Sequence, residues 1–319
     1  MFADLINQIK EKQPAILVIG DLMLDKFIFG NVERISPEAP VPIVKLQNEK
    51  HMLGGCGNVI RNLNNLGVKT SLVSVIGQDL AGDLLIDQLL EKNIPVTNIL
   101  RLKSIRTTEK MRIVANRQQV VRVDWDMDNL KIENSNSLME NISENIESVN
   151  SIIISDYAKG VCSESYIKKV IEFSKENKIP INVDPKGTDW EKYRHANLIT
   201  PNAGEAEAIV GHRLENDKDF EVAGKEICST FNIKACLITR GSDGMSFVSE
   251  NNSFHLRSKA QEIFDVSGAG DTVISAMTTG IAIGLTSKEA VEFSNQAAGI
   301  VVGHIGTSAI TTQELLDLN

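Results

Sequence analysis

The segment Asp265-Val266-Ser267-Gly268-Ala269-Gly270-Asp271-Thr272-Val273-Ile274-Ser275-Ala276-Met277 carries residue types that could hold a phosphate and accept a proton beside it. Gln261-Glu262-Ile263-Phe264, just before it, reads as a short strand, and the small and apolar residues after Asp271 suit a buried helix. The N–H groups of Gly268, Ala269 and Gly270 are then expected to converge at a helix N-terminus. N–H groups there lack intrahelical acceptors, and the helix dipole favours negative charge. Asp271 would stand at the mouth of this anion hole, placed to take a proton from a hydroxyl attacking a phosphate. An ordinary buried helix with an acid in its first turn has the same residue types, so this stretch alone leaves both readings open. Two other phosphate motifs fit less well. The chain has no Gly-x-x-x-x-Gly-Lys-Ser/Thr loop, and a dinucleotide fingerprint needs a small residue where Val273 stands.

Elements that could position such a site recur along the chain. Ala15 to Ile19 is a continuous apolar run, typical of a buried parallel strand, and it ends at Gly20-Asp21. Later strand-like runs end at Asp156, Asp184 and Thr239, with helical patterns at 163–177 and 203–210 between them. This alternation predicts a mostly parallel sheet covered by helices on both faces, with one crevice above the strand ends. Lys186 could neutralise a phosphate there or be a solvated loop lysine. Thr239-Arg240-Gly241-Ser242-Asp243-Gly244 could wrap a nucleotide phosphate or form a hairpin turn. Glu205, in Asn202-Ala203-Gly204-Glu205, could serve the site or be only a helix N-terminal acid. Gly54-Gly55-Cys56-Gly57-Asn58 precedes a helix ending at Gly67, either for close backbone approach to a ligand or as a plain loop.

Two stretches depart from the α/β pattern. Residues 26–47, with prolines at 37, 40 and 42, read as strands and turns outside the main sheet. Met111 to Asp124 alternates around a polar turn at 116–119, which predicts a β-hairpin. Residues 81–92 read as an amphipathic helix with Leu84, Leu85, Leu89 and Leu90 inward, and residues 127–150 as an exposed helix.

With 319 residues, 42% of them hydrophobic and 24% charged, the chain has ample core for one domain spanning 1–319. A formal net charge of -9 argues against non-specific nucleic-acid binding. Cys56, Cys162, Cys228 and Cys236 show no C-x-x-C pairing, and neither a signal-peptide pattern nor a membrane-spanning run is present in the sequence. Reduced cysteines and a cytoplasmic location are expected.

Taken together, these residues resemble the ribokinase-like, or PfkB, family of sugar kinases over essentially the whole chain. Gly54 to Asn58 resembles the family's N-terminal motif, Asp265 to Asp271 its C-terminal motif, and Asn202 to Glu205 its N-x-x-E element. Ile35 to Pro42, Ser155 to Gly160 and Asp184 to Asp189 are similar to the branch that phosphorylates D-glycero-D-manno-heptose 7-phosphate for ADP-heptose synthesis. Asn295 to Gly299 and Gly306-Thr307-Ser308 match that branch too. Val266 replaces the commoner family Thr, and Ser267 stands where the branch usually has Thr. Many members of the branch carry a C-terminal nucleotidyltransferase domain. The sequence here ends at Asn319, and in His304-Ile305-Gly306-Thr307 a threonine replaces the second His of that domain's H-x-G-H motif.

The resemblance implies a ribokinase-like α/β fold with a small β-sheet lid from segments about 26–47 and 110–124. It implies transfer from ATP with Mg²⁺ to C1 of the heptose, with Asp271 as base and Gly268, Ala269 and Gly270 stabilising the transferring group. Lys186, Asn202, Glu205, Thr239, Gly241, Gly244 and Asn295 would line the ATP side, Asn202 and Glu205 organising Mg²⁺ through water. Asp21, Asp25, Gly54, Gly55, Asn58 and Asp156 would serve the sugar, and Arg34, Arg112, Arg117 and Lys159 its existing phosphate. A kinase of another sugar or a catalytically silent sugar-phosphate binder are the rival readings. Phe27, Phe29, Val41, Ile43, Met111, Ile113, Val121 and Val123 exceed what one sugar pocket can bury, so two lids are expected to pack in a homodimer.

Overall fold

The computed structural model describes residues 2–116, 118–127, 138–140, 142–143, 146–260, 265–304, 306 and 308–317. The expected strand at 261–264 lies outside them. Ala15–Gly20 (β1) is buried on both faces, as its unbroken apolar run requires. Ile16 and Val18 point into one core and Leu17 and Ile19 into another, following the two-residue period of a strand. Around β1 lies a nine-stranded sheet in the order β13-β12-β11-β10-β9-β8-β1-β4-β5. Its members are Lys69–Gly77 (β4), Ile99–Leu102 (β5), Ser151–Ser155 (β8), Ile181–Asp184 (β9), Leu198–Ile199 (β10), Ala235–Thr239 (β11), Met245–Ser249 (β12) and Ser253–Leu256 (β13). Pairing is parallel from β5 to β11, and antiparallel only for β11–β12 and β12–β13.

Helices cover both faces. Phe2–Lys12 (α1), Cys56–Asn65 (α2), Leu80–Glu91 (α3), Ala269–Ala282, Ser287–Val301 and Thr312–Leu316 contribute to the core under Ile16 and Val18. Glu164–Glu176, Ala203–Val210 and Asp217–Phe231 contribute to the core under Leu17 and Ile19. Two expectations are corrected. Leu90 is 53% exposed, since Leu85 and Leu89 alone complete the buried stripe of α3. The described helical residues at 138–140 and 142–143 are not an exposed helix: Leu138 and Ile142 are buried in the second core.

A second sheet leaves the main body where β1 ends. Leu22–Ile35 (β2) pairs antiparallel with Pro42–Gly55 (β3) and parallel with Glu109–Ala115 (β6), which pairs antiparallel with Gln118–Trp125 (β7). Between β6 and β7, Asn116 stands at φ 52°, a left-handed position that asparagine tolerates in a tight turn. The root of this sheet is core: Leu22, Leu24 and Leu53 are buried with the main body. Its far end is open, with Ile35, Val41 and Leu46 exposed, and Val121 and Val123 of β7 are exposed nearer the root, opposite Ile113 and Met111.

At the root, Gly55 adopts φ 57° and ψ −135°, and a Cβ there would meet the Asp21 carbonyl oxygen. Only glycine takes this backbone conformation freely. Gly55→Ala is expected to lower stability by at least about 1–2 kcal/mol, read as a downward shift of the denaturant midpoint; an unchanged midpoint would show that this turn is not constrained.

Candidate active site

Four strands end in polar residues on one rim, beside the point where the strand order reverses around β1. Such switch points are where open α/β sheets bind ligands. Asp21 and Asp156, expected to face the sugar, are both 2% exposed and committed inward. One Asp21 oxygen accepts from the N–H of Tyr157 (2.9 Å) and Lys159 (3.1 Å), the other from Val161 (3.0 Å). Asp156 accepts from the Ala158 N–H at 2.7 Å, from the Tyr193 hydroxyl at 2.7 Å, and from Lys192. Sequence reasoning placed both at the site because strand-end acids can face either the crevice or the loops that leave it. Here they pin the 157–161 loop.

Asp271 is 3% exposed, in the first turn of the Ala269–Ala282 helix. Asn58 Nδ2 donates to one of its oxygens at 2.9 Å, and the Tyr157 hydroxyl to the other at 2.7 Å. Asn58 thus holds the acid, whereas the sequence suggested it would hold the sugar. Burial raises the Asp271 pKa to about 6, with the Asn58 and Tyr157 bonds pulling it down and Asp25 pushing it up. Gly268 caps the helix at φ 85°, and the Gly270 N–H, in the first turn, has no intrahelical acceptor. The Ala269 N–H is instead donated to the Val266 carbonyl at 3.2 Å, so the expected three-fold anion hole has one of its donors in use. Asp265 braces this loop, accepting from the Ser267 N–H (2.8 Å) and the Gly306 N–H (3.0 Å).

On one side of Asp271 opens a cleft of about 530 Å³. It is lined by Lys186, Asn202, Glu205, Thr239, Gly241, Gly244 and Asn295, as expected, together with Tyr157, Asp184, Ala269 and Gly270. Asn202 and Glu205 form a capping box: Asn202 accepts from the Glu205 N–H at 2.9 Å, and Glu205 from the Asn202 N–H at 3.0 Å. The other Glu205 oxygen pairs with Lys186 at 2.7 Å. The Thr239–Gly244 segment turns β11 into β12, the hairpin reading of its sequence, and Thr239, Gly241 and Gly244 also line the cleft. Asn295 donates to the Arg257 carbonyl at 2.7 Å.

A cluster of charged side chains lies at the root of the second sheet. Asp25 pairs with Arg112 at 2.6 Å, and Gly54 leaves room for its carboxylate, which a Cβ there would strike. Lys159 pairs with Asp126 at 2.6 Å. Lys110 and Arg61, both missed from sequence, belong here: burial lowers the pKa of each, and each interacts with the Asp25 charge. Arg34 stands apart, exposed and nine residues beyond Asp25 on β2, roughly 30 Å along an extended strand. Arg117 lies outside the described residues.

The fold, with a buried acid at a glycine-rich helix start, a cleft beside it and a charged cluster at the root of the second sheet, is that of a phosphoryl-transfer enzyme of the sugar-kinase type. The chain belongs to the pfkB family of carbohydrate kinases, whose pattern residues 13–314 match. It is similar to bifunctional protein HldE of Actinobacillus succinogenes (41% identical over 301 residues) and of Geobacter sulfurreducens (40% over 302). Each alignment covers 94% of this chain and 62% of the relative, so the chain spans under two thirds of those proteins. Two solved structures share the fold. Escherichia coli phosphofructokinase-2 in complex with potassium superposes with a TM-score of 0.80 at 21% identity, covering 96% of this chain and 98% of its own. Arabidopsis thaliana ribokinase complexed with ribose and ATP gives 0.76 at 17%, with the same coverage.

Asp184, at the end of β9, was noted in the sequence only as a strand-end acid. Its pKa lies well above the usual carboxylate value, first through burial, then through Asp271 and Glu205. The Thr200 hydroxyl donates to it at 3.3 Å. Because its folded pKa exceeds the unfolded value, this carboxyl favours the fold at low pH and loses that contribution as pH rises through the folded pKa. Asp184→Asn is therefore expected to raise the thermal midpoint of the ligand-free protein at about pH 8 by about 2 °C or more. An unchanged or lower midpoint would show that the charge is already compensated.

Proposed function

We propose that the protein transfers the γ-phosphoryl group of ATP to the C1 hydroxyl of D-glycero-D-manno-heptose 7-phosphate, giving the 1,7-bisphosphate and ADP, a step toward ADP-heptose for lipopolysaccharide core. The observation that carries this reading is the position of Asp271, which follows the cleft-lining Ala269 and Gly270 directly and feels the charges of Asp25 and Lys110 at the root of the second sheet. The heptose-kinase-like segments and about 40% identity to HldE proteins support the choice of sugar. A cytoplasmic location fits both substrates; among the described residues no helix is long and apolar enough to cross a membrane.

In this reading the nucleotide lies in the cleft, its phosphates toward Gly270 and Lys186 and its base toward Asn295. The heptose lies against Asp25 and Gly54. Its 7-phosphate is met by charges from Arg112, Lys110 and Lys159, with Arg61 nearby. Asp271 removes the C1 hydroxyl proton as that oxygen bonds to the γ-phosphorus and the bond to the ADP oxygen breaks. The proton ends on Asp271. The free N–H at the helix start stabilises charge on the transferring group.

The donor set fits Mg²⁺. Asp184, Glu205 and Asn202 offer hard oxygen atoms, and the raised pKa of Asp184 reflects acids crowded without a cation. Mg²⁺ would be held by Asp184 and, through water, by Asn202 and Glu205, which their capping box and Lys186 already engage. When bound it neutralises phosphate charge.

ADP release should be measured across a panel of sugars and sugar phosphates, with Asp271→Asn beside the wild type. Heptose 7-phosphate is expected to give the highest kcat/KM and unphosphorylated heptose a much lower one, because the pocket's cations would lose charge-assisted bonds. Asp271→Asn should lose about 10²–10⁴-fold in kcat while still binding ATP. The wild-type kcat/KM should fall as pH drops through about 6, where Asp271 takes up a proton. Preference for another sugar would reassign the substrate alone, and no turnover on any sugar would favour a silent binder. Near-normal turnover of Asp271→Asn would remove it as the base.

The open end of the second sheet supports a homodimer in which the two sheets pack as lids, each over its own site. Exposed Ile35, Val41 and Leu46 lie on that end, and an uncovered sheet edge invites pairing. Sedimentation at micromolar concentration should show a dimer that Ile43→Asp weakens; a wild-type monomer throughout that range would defeat the dimer and leave the kinase reading intact.

A further inference from the structure

Tyr157 touches both the cleft and the charged cluster. Its hydroxyl donates to Asp271 at 2.7 Å, its ring lines the nucleotide cleft, and the Lys110 ammonium lies 5.3 Å from its ring centroid. The backbone that carries it is over-determined. Asp21 accepts from the N–H groups of Tyr157, Lys159 and Val161, and Asp156 from that of Ala158. Ala158 is held at φ 56°, a left-handed conformation that a residue with a Cβ adopts only under such constraint. Two buried aspartates and a strained alanine therefore fix one loop, and the side chain this loop delivers reaches the proposed base.

We propose that Tyr157 is a positioning residue for phosphoryl transfer, whose hydroxyl fixes the orientation of the Asp271 carboxylate and favours its ionised form. The inference rests on the reading of Asp271 as the base. An ionised carboxylate has about four acceptor positions. Asn58 takes one on the first oxygen and Tyr157 one on the second, which stops rotation of the group and leaves a lone pair on each oxygen for the acceptor hydroxyl. The phenol cannot compete for the proton, because burial and the Asp271 charge push its own pKa well above the ordinary value. The Lys110 cation over the ring draws electron density from it and strengthens the O–H as a donor.

The other charged or titratable groups around Asp271 are Asp25 on β2, Lys110 on β6, Asp184 at the end of β9, and Arg61 and Cys56 on α2. Removal of the Tyr157 hydroxyl takes away a 2.7 Å bond to the carboxylate and should be felt directly.

The test is Tyr157→Phe in the full chain, assayed by ADP release with ATP and heptose 7-phosphate, or the acceptor that the sugar panel selects. Expected are a fall in kcat of about 10-fold or more and a KM for ATP within about twofold of wild type. The acid limb of kcat/KM should move up by about one pH unit, because a hydrogen bond to the ionised form is lost. Tyr193→Phe removes a phenol from Asp156, in the same loop network, without touching Asp271; its acid limb should stay in place. Wild-type kcat and acid limb in Tyr157→Phe, with Asp271→Asn inactive, would overturn the positioning role alone. Equal losses in both tyrosine variants with no movement of the limb would also overturn it, reducing Tyr157 to a structural support. Turnover retained in Asp271→Asn would overturn the base reading and this inference with it.

Discussion

A carboxylate buried to 3% exposure and meant to carry charge is the constraint on which the site depends. Water cannot solvate Asp271, so the protein must, and the two groups that do so come from far along the chain. Asn58 is 213 positions away and Tyr157 is 114. Asn58 arrives on a helix whose start requires the Gly55 conformation, and Tyr157 arrives on a loop pinned by Asp21 and Asp156. The pKa of about 6 expresses the balance: burial nearly keeps the acid neutral, and two hydrogen bonds return it to the range where it can accept a proton near neutral pH.

The four strand-end or helix-start acids show how one residue type is put to different uses. Asp21 is satisfied by three backbone N–H groups and Asp156 by a lysine, a phenol and an N–H. These two hold the 157–161 loop, and Asp156 also borders the cleft. Asp271 has two neutral donors, enough to hold it without neutralising it. Asp184 accepts from a threonine hydroxyl at a long 3.3 Å, and faces the cleft beside Asp271 and Glu205. The quality of each acid's partners therefore sorts buried supports from groups poised for a proton or a cation. This ordering places local destabilisation where chemistry is proposed, as expected of a working site.

The second sheet shows the same economy of connection. β2 continues directly from β1, so Asp21 and Asp25 lie within one turn of chain of each other yet serve different ends. Leu22 and Leu24 anchor the sheet in the main core, Asp25 and Arg112 pair in the charged cluster, and exposed Ile35, Val41 and Leu46 lie farther out. A rigid root and an uncovered tip suit an element that closes over a ligand while its other surface meets a partner.

Periodicity and turn chemistry determined much of this protein. The apolar run of β1, the alternation of strand and helix, the glycine-rich starts before Asn58 and Asp271, and the hairpin around Asn116 all act over a few residues and were legible in the sequence. Candidate acids were legible too, because strands that end in a parallel sheet must present something at the rim. What each acid does was not. Whether Asp21 meets a sugar or three amides, and whether Asn58 holds substrate or Asp271, depends on loops returning from more than a hundred residues away. The tertiary structure alone decided that Ala269 spends its N–H on Val266, that Arg34 stands far from Asp25, and that Leu138 and Ile142 are core. It also revealed Tyr157, Lys110 and Arg61, whose residue types are unremarkable in sequence and acquire meaning only through the charge they face.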